Sequence, residues 1–450
     1  MDLAIIGGGL SGTLLAHYLL QEDRHPVTVY LFEKDFQQLS RGIAYRASNE
    51  TQLLNVPAAS MNLHGLPAGD FYHWLQAKGH TVLPGDFVSR SLFGTYLKEL
   101  FQQSLERARQ VQVKVITDEV VDIIKEEDFL YILTAAGNTY HVTKAVVANG
   151  ILPPTDPFEV TLDIQLTNLY QSNPWNFHYL DQLKKNDHVV LIGTGLTMLD
   201  HAAGLLQSDK NVRVTAFSRR GLLPLAHKTY QPYDFPEYTV VPNEDIGELL
   251  RSIRVYYVTH KNKGLDWRDL IDRVRSQVPQ LWKALNAVSK IRFIRHLKPY
   301  WEIHRHRAPE QVLDTVKQEM QKGRFNLLRG KIREVTTNGK ALTIHLVNST
   351  GIKSIEANYL LNSSGLQHNI SLSSNPLLKK LVERGYMIPD SNKLGVETDE
   401  VGVFQCTAGE KNIFTLGALR RAAVFECTAA KEIGEQAFML SKNLMDLKTV

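Results

Sequence analysis

Two hydrophobic patterns alternate along the chain. Short continuous apolar runs end in glycine-rich turns, and apolar residues at helical spacing follow. Leu3–Ile6 leads into Gly7-Gly8-Gly9-Leu10-Ser11-Gly12, after which apolar positions recur at Leu14, Leu15, Tyr18 and Leu19; Val27–Phe32 is the next run. The pattern returns at Val189–Ile192, then Gly193-Thr194-Gly195-Leu196-Thr197-Met198-Leu199-Asp200, with Val212–Phe217 after it. Apolar runs buried on both faces suit parallel strands, and helices between them make βαβ units. The pattern predicts an α/β protein with two Rossmann-like dinucleotide-binding domains.

Three further runs end in small-residue turns: Ala145–Gly150 (AVVANG), Tyr359–Gly365 (YLLNSSG) and Asn412–Gly417 (NIFTLG). The first two read as the points where the chain leaves and re-enters the first domain, beside the cofactors. A helix pattern follows from about Thr428, its N-terminus placed to face a bound flavin. Apolar spacing at Leu270, Val274, Val278, Leu281, Leu285 and Val288 predicts a helix over Asp266–Ile291 despite Pro279, and Gln311–Met320 predicts another. The expected organisation is a discontinuous first domain (residues 1–155 and 350–450) and a second domain (185–345) carrying a helical insertion at about 229–325, over the substrate cleft.

The glycine spacing brings in chemistry. In G-x-G-x-x-G, Gly7 permits the turn, Gly9 lets a pyrophosphate reach the backbone, and Gly12 lets helix pack on strand. The helix start faces phosphate, and Glu33, 21 residues after Gly12, can accept hydrogen bonds from a ribose hydroxyl. The second motif keeps Gly193 and Gly195 but has Met198 at the third place, which calls for wider helix–strand packing. Its next strand ends in Ser218-Arg219-Arg220 rather than an acid. A hydroxyl and two guanidinium forks suit a 2′-phosphate, so NADPH is expected there, with solvated arginines as the plainer reading. FAD is expected at the first motif.

Composition narrows the classes. The 450 residues hold 51 basic and 47 acidic side chains, a formal charge of +4, too balanced to argue for nucleic acid. Cys406 and Cys427 stand 21 positions apart, excluding a CxxC redox pair and pointing to a reducing compartment. MDLAIIGGGLSG has no basic leader and no apolar run is membrane-spanning, so a cytoplasmic protein acting on a small molecule is expected.

Several segments resemble flavoproteins with two dinucleotide-binding domains, and more narrowly a family of FAD/NAD(P)-binding proteins. They are RGIAY (Arg41–Tyr45), LLNVPAASM (Leu53–Met61), SRSLFGTYL (Ser89–Leu97), GTGLTMLD, SRRGLLPLAH (Ser218–His227), HLKPYWEIHRHR (His296–Arg307), NPLLKKLVERG (Asn375–Gly385) and ALRRAAVFECTAAKEI (Ala418–Ile433). The layout is similar to flavin-dependent, N-hydroxylating monooxygenases. The resemblance implies oxygen insertion at a nucleophilic heteroatom of an amine or amino acid, through a C4a-hydroperoxyflavin and with NADPH as reductant. It also implies that Gly7, Gly9, Leu10, Ser11, Gly12 and Glu33 hold FAD phosphates and ribose, with Arg41 and Arg90 near the pyrophosphate. Asn55, Val56 and Pro57 would line the isoalloxazine, and Val120, Gly150, Gly365, Gly417 and Thr428 would border the cofactors. Gly193, Gly195, Leu196, Thr197, Ser218, Arg219 and Arg220 would hold NADPH. Gly417 is followed by Ala418 where many such flavoproteins have an acid, so the ribityl contact must come from elsewhere. A flavin reductase or dehydrogenase without oxygen insertion, or a non-enzymatic flavin-binding redox sensor, remain the alternatives.

Pro299–Pro309 reads PYWEIHRHRAP. His304 and His306 share a face only in an extended segment and no third ligand is signalled, so no metal site is expected. Arg305 and Arg307 can clamp a carboxylate or the NADPH phosphates, with His304 or His306 as proton donor. A structural role for the stretch is the other reading.

Overall fold

The computed structural model of the protein describes residues 1–46, 51–233 and 239–446. Residues 234–238 of the expected insertion, and the last four of the expected first-domain return, lie outside these.

Each glycine motif follows the central strand of a five-stranded parallel sheet. The first sheet runs Ile413–Thr415, Lys144–Val147, Asp2–Ile6, Val27–Phe32, Val111–Ile116. The second runs Phe325–Arg329, Arg213–Ser218, His188–Ile192, Tyr359–Asn362, Tyr170–Gln171. In both, the strand after the motif and the one after that lie on one side, and a later crossing strand lies on the other. A three-stranded antiparallel sheet follows the third strand each time: Val120–Thr134 with Thr139–Val142, and Lys331–Asn348 with Gly351–Ala357. The chain thus builds one plan twice, and the duplication sets two nucleotide-type loops in one molecule.

Burial explains the patterns. Leu3, Ala4 and Ile5, like Val189, Val190 and Leu191, are fully buried on both faces of their sheets. Helix Leu10–Glu22 is buried from Leu10 through Leu20, because the sheet covers one side and helices Arg90–Arg107 and Ala430–Asp446 cover the rest. Met198, at the place of the missing third glycine, is fully buried against Leu191 and Val214, so its side chain fills the wider helix–strand gap.

Two expectations shift. Tyr359–Asn362 does not re-enter the first sheet: it pairs with His188–Ile192, and Gly351–Ala357 pairs within the second unit's antiparallel sheet. The first sheet is rejoined at Ile413–Thr415. The helix expected over Asp266–Ile291 is two helices, Trp267–Ala284 and Ala287–Arg292. Leu285 takes extended backbone, and the Asn286 side chain caps the second helix by accepting the Ser289 N–H. Leu270, Val274, Val278, Leu281 and Leu285 are buried as the spacing requires; Val288, beyond the break, is 58% exposed.

The rest of this region is helical: Ile246–His260, a π-helical turn at Phe293–Leu297, Lys298–Arg305 and Glu310–Gln321. PYWEIHRHRAP is therefore helical through Arg305, with Pro299 in the first turn where its missing N–H costs nothing. The chain then extends, and Ala308 pairs with the Leu225–His227 segment through two backbone hydrogen bonds. The apolar face of Trp267–Ala284 packs on Leu394 and Phe425, seating the insertion on the return segment. No described helix is long and apolar enough to cross a membrane.

Candidate functional site

The two motifs share one strained detail. Gly7 and Gly193 have φ of +106° and +105°, and a Cβ at either would meet a carbonyl oxygen of the crossing strand's end: Ala148 at 2.4 Å, Ser363 at 2.2 Å. Each turn is pressed onto that segment, and only glycine fits.

At the first motif Glu33 ends its strand with both carboxylate oxygens engaged once, accepting from Gly8 N–H (3.0 Å) and Asp35 N–H (3.1 Å), so each keeps a lone pair for a ribose hydroxyl. Helix Leu10–Glu22 has no side-chain cap. The turn Leu39–Gly42 lies over its start: Ser40 N–H donates to Gly8 O, and a Cβ on Gly9 would come 3.2 Å from Gly42 Cα. In that turn Ser40 Oγ and Arg41 Nε are buried without a protein partner. Uncapped amides facing a buried hydroxyl and a guanidinium fit a diphosphate. Gly417 closes against Ser11, and its N–H donates to Gln436 Oε1 at 3.0 Å. Val120 is packed in the core with Ile6 and Phe32.

At the second motif helix Leu196–Gln207 also lacks a side-chain cap. Nothing lies within 4 Å of a Cβ built on Gly195, so its start opens into free space. Ser218 Oγ accepts from Gly221 N–H at 2.9 Å and lies 2.9 Å from Thr194 Oγ1, whose own proton goes to Leu222 O at 2.5 Å, so Ser218 donates to Thr194 and keeps one lone pair. Arg219 is exposed. Arg220 lies over the Tyr300 ring, 5.2 Å from its centroid.

A cleft of about 1990 Å³ joins the two units. Asn55, Val56, Pro57 and Arg90 line it from the first unit, and Gly193, Gly195, Leu196, Thr197, Ser218, Arg219 and Arg220 from the second. Arg305, His306 and Arg307 of the insertion, and Gly365 and Thr428 of the return segment, complete the wall. The Asn55–Pro57 loop is positioned by backbone pairing of residues 52–59 with 84–90, including Leu54 N–H to Val88 O and Ala58 N–H to Asp86 O, both 2.8 Å. Gly7, Gly9, Leu10, Ser11, Gly12, Glu33, Arg41 and Gly150 lie outside the cleft lining.

The arginines of PYWEIHRHRAP differ from one another. Arg305 is buried, its Nη2 2.6 Å from Glu426 Oε2 and 3.8 Å from Glu432 Oε1. Arg307 is buried too, pairs with Asp272, and leaves Nε and Nη1 without partners. His304 does not line the cleft; its Nδ1 bonds Tyr300 O at 2.7 Å and its ring packs edge-on to Trp267. His306 Nδ1 meets Glu302 Oε2 at 2.5 Å, and burial and Arg305 hold the imidazole below its ordinary range. With Nδ1–H given to Glu302, Nε2 is the ring nitrogen left for a ligand.

Comparison with known proteins completes the description. Residues 4–152 match the family model described as FAD-NAD(P)-binding. An FAD-dependent monooxygenase of Monascus ruber is 30% identical over 132 residues, 28% of each chain. The Escherichia coli protein YdhS is 23% identical over 314 residues, 60% of this chain and 56% of its own. The alignments thus span from about a quarter to about half the length of these curated relatives. The Kutzneria ornithine N-hydroxylase structure superposes over 100% of this chain and 99% of its own, with a TM-score of 0.63 at 13% identity. This is the fold of flavoproteins with two dinucleotide-binding domains. The flavoprotein plan accounts for both motifs, the duplicated sheets and the cleft between them.

Sequence patterns did not reveal how the cleft is charged. Arg421 donates to Glu302 Oε1 and to His368 Nε2, each at 2.9 Å, which joins the return segment to the insertion. Burial pushes Glu302 up, but His306, Lys298 and Arg421 together hold it well below the usual carboxylate range. Burial, then Arg421, takes His368 down to about 3. Arg275 pairs with Glu432. Glu302 and Arg421 lie in segments quoted for the resemblance, yet 119 positions separate them, and no spacing rule links such residues.

Proposed function

We propose that the protein is an FAD- and NADPH-dependent monooxygenase that hydroxylates a nucleophilic nitrogen of a small amine or amino acid. The observation that carries the reading is the shared cleft: the second glycine loop borders one space that also holds the Asn55–Pro57 wall of the first unit, the start of helix Ala430–Asp446 and a set of buried cations. When bound, FAD takes electrons from NADPH and uses them to activate oxygen. The chain's residues do the rest. Asn55, Val56 and Pro57 form a largely apolar wall that limits water beside the flavin. Arg307, with two unpartnered nitrogens, supports recognition of a carboxylate. His227, held down to about 4 by burial and then by Arg307, is a neutral imidazole near pH 7 that can accept a hydrogen bond from the substrate.

Reduction of a dithiol acceptor fits poorly. Burial pushes the Cys427 thiol up to about 12, and Cys406 Sγ donates to Glu410 O at 3.0 Å. A thiolate pair beside the flavin is what such chemistry needs.

The test follows flavin absorbance as NADPH is added without oxygen, then assays hydroxylated product and hydrogen peroxide once oxygen and L-ornithine or L-lysine are admitted. Bleaching followed by amine-dependent product formation supports the reading. Bleaching with peroxide alone, together with electron transfer to a quinone, favours a reductase; failure of NADPH to bleach the flavin favours a redox sensor.

A further inference from the structure

The charges of the cleft fall into two groups. Those of the inner wall are paired: Arg275, Arg305, Arg307 and Arg421 each meet a carboxylate. On the outer wall Arg219, Arg220, Arg295, Arg329 and Lys331 line the same cleft, and among the described residues none has an acidic partner. Clustered like charges raise the energy of the empty site, and a bound polyanion relieves it.

The cluster is built from three parts of the chain. Ser218 and Arg329 are register partners in adjacent parallel strands, and Gly330 N–H donates to Ser218 O at 3.0 Å. A Cβ built on Gly221 would lie 3.5 Å from Arg329 Cβ, so Arg329 flanks the Ser218–Gly221 turn. Arg295 comes from the π-helical turn of the insertion. Arg220 Nη2 donates to Arg295 O at 3.3 Å, and Nη1 reaches Tyr300 Oη at 3.4 Å, with the guanidinium over that ring. Arg220 is thus a clasp between the strand-end turn of the second domain and the segment Phe293–Arg305 that leads to the inner wall. A π-helical turn in such a place is a common functional irregularity.

We propose that the helical insertion completes the seat of the nicotinamide nucleotide's 2′-phosphate. Arg295 and Arg329 join Ser218 and Arg219 around the phosphate, and Arg220, held on Tyr300, fastens Phe293–Arg305 to the bound nucleotide. This rests on the NADPH reading but goes beyond it, since Arg295 and Arg329 lie outside the turn that suggested NADPH. It makes the insertion a sensor of the second cofactor: loading the phosphate stiffens the helix that carries Glu302 and Arg305.

The experiment titrates the FAD-loaded protein with 2′,5′-ADP and with 5′-AMP by calorimetry. The full chain should bind 2′,5′-ADP at least about tenfold more tightly. Arg295→Ala and Arg329→Ala should each weaken 2′,5′-ADP about tenfold, the effect of one charged contact, and leave 5′-AMP unchanged. Hydrogen exchange in residues 293–305 should slow with 2′,5′-ADP and not with 5′-AMP. Unchanged affinity in both variants, or equal weakening of the two nucleotides, overturns the proposal while the NADPH reading stands. Equal binding of the two nucleotides by the unaltered protein overturns both. Flavin content and far-ultraviolet circular dichroism verify that each variant is folded, and both substituted side chains are exposed.

Discussion

Arg90 and Asp200 meet across the boundary of the two nucleotide-binding units, Nη2 to Oδ2 at 3.0 Å. Arg90 also donates from Nε to Leu53 O at 3.0 Å, so one guanidinium ties the Asn55–Pro57 loop to helix Leu196–Gln207. Burial pushes the Asp200 carboxyl up to about 6, against the opposing pull of Arg90, from an ordinary 3.8. The folded state therefore binds more protons than the unfolded state between those values. Stability from this group is full below about pH 4 and falls as pH rises through 6. Asp200→Asn removes that dependence. Relative to the variant, the unaltered protein should lose about 2 kcal/mol between the two ends of this window, read by chemical denaturation at each pH. A difference that does not change with pH would show that Asp200 titrates as an ordinary carboxylate.

The same pair separates two roles for Arg90. A side chain on the FAD pyrophosphate is needed for flavin retention, whereas one that orients the two units is needed for electron transfer between cofactors. Arg90→Ala and Asp200→Asn should both keep FAD and slow flavin reduction by NADPH about tenfold, the scale of one charged hydrogen bond. Stopped-flow reduction and flavin content read the two effects. Loss of FAD from Arg90→Ala alone would assign Arg90 to the pyrophosphate.

Two glycines of the second motif should behave oppositely. A methyl at Gly193 meets Ser363 O at 2.2 Å on a backbone of φ +105°, while a methyl at Gly195 meets nothing within 4 Å. Gly193→Ala should unfold or strongly destabilise the second unit, at a cost of several kcal/mol. Gly195→Ala should fold with FAD bound and an unchanged melting temperature, yet weaken NADPH, because the added methyl stands where a pyrophosphate approaches the helix start. Thermal melts and calorimetry distinguish the two variants.

Much of this architecture was legible because it is local. Strand, glycine turn, helix and second strand follow one another in sequence, and their periodicity marks both motifs and the crossing strands. Non-local relations were not legible. YLLNSSG reads as a return to the first domain, yet its strand completes the second sheet, since an apolar run does not name its partner. The helix within PYWEIHRHRAP was not legible, because its prolines and histidines mask fewer than three turns. Arg305 suggested a substrate clamp because its partners, Glu426 and Glu432, lie more than a hundred positions away.

That last point separates Arg305 from Arg307. Arg305 is 5% exposed and pairs with two carboxylates, one of which also accepts from Trp301 Nε1 at 2.7 Å. Removing the cation strands buried negative charge, so Arg305→Met should cost about 3–5 kcal/mol in chemical denaturation. Glu426→Gln in the same chain should recover part of that loss, since the two changes share one buried pair and are not additive. Arg307 has a single carboxylate, Asp272, whose side chain is 33% exposed and can be resolvated. Arg307→Met should therefore cost less than half as much as Arg305→Met. Equal losses would mean that the unpartnered nitrogens of Arg307 contribute to the fold and are not held in reserve for a ligand. A small loss from Arg305→Met would return that side chain to the substrate.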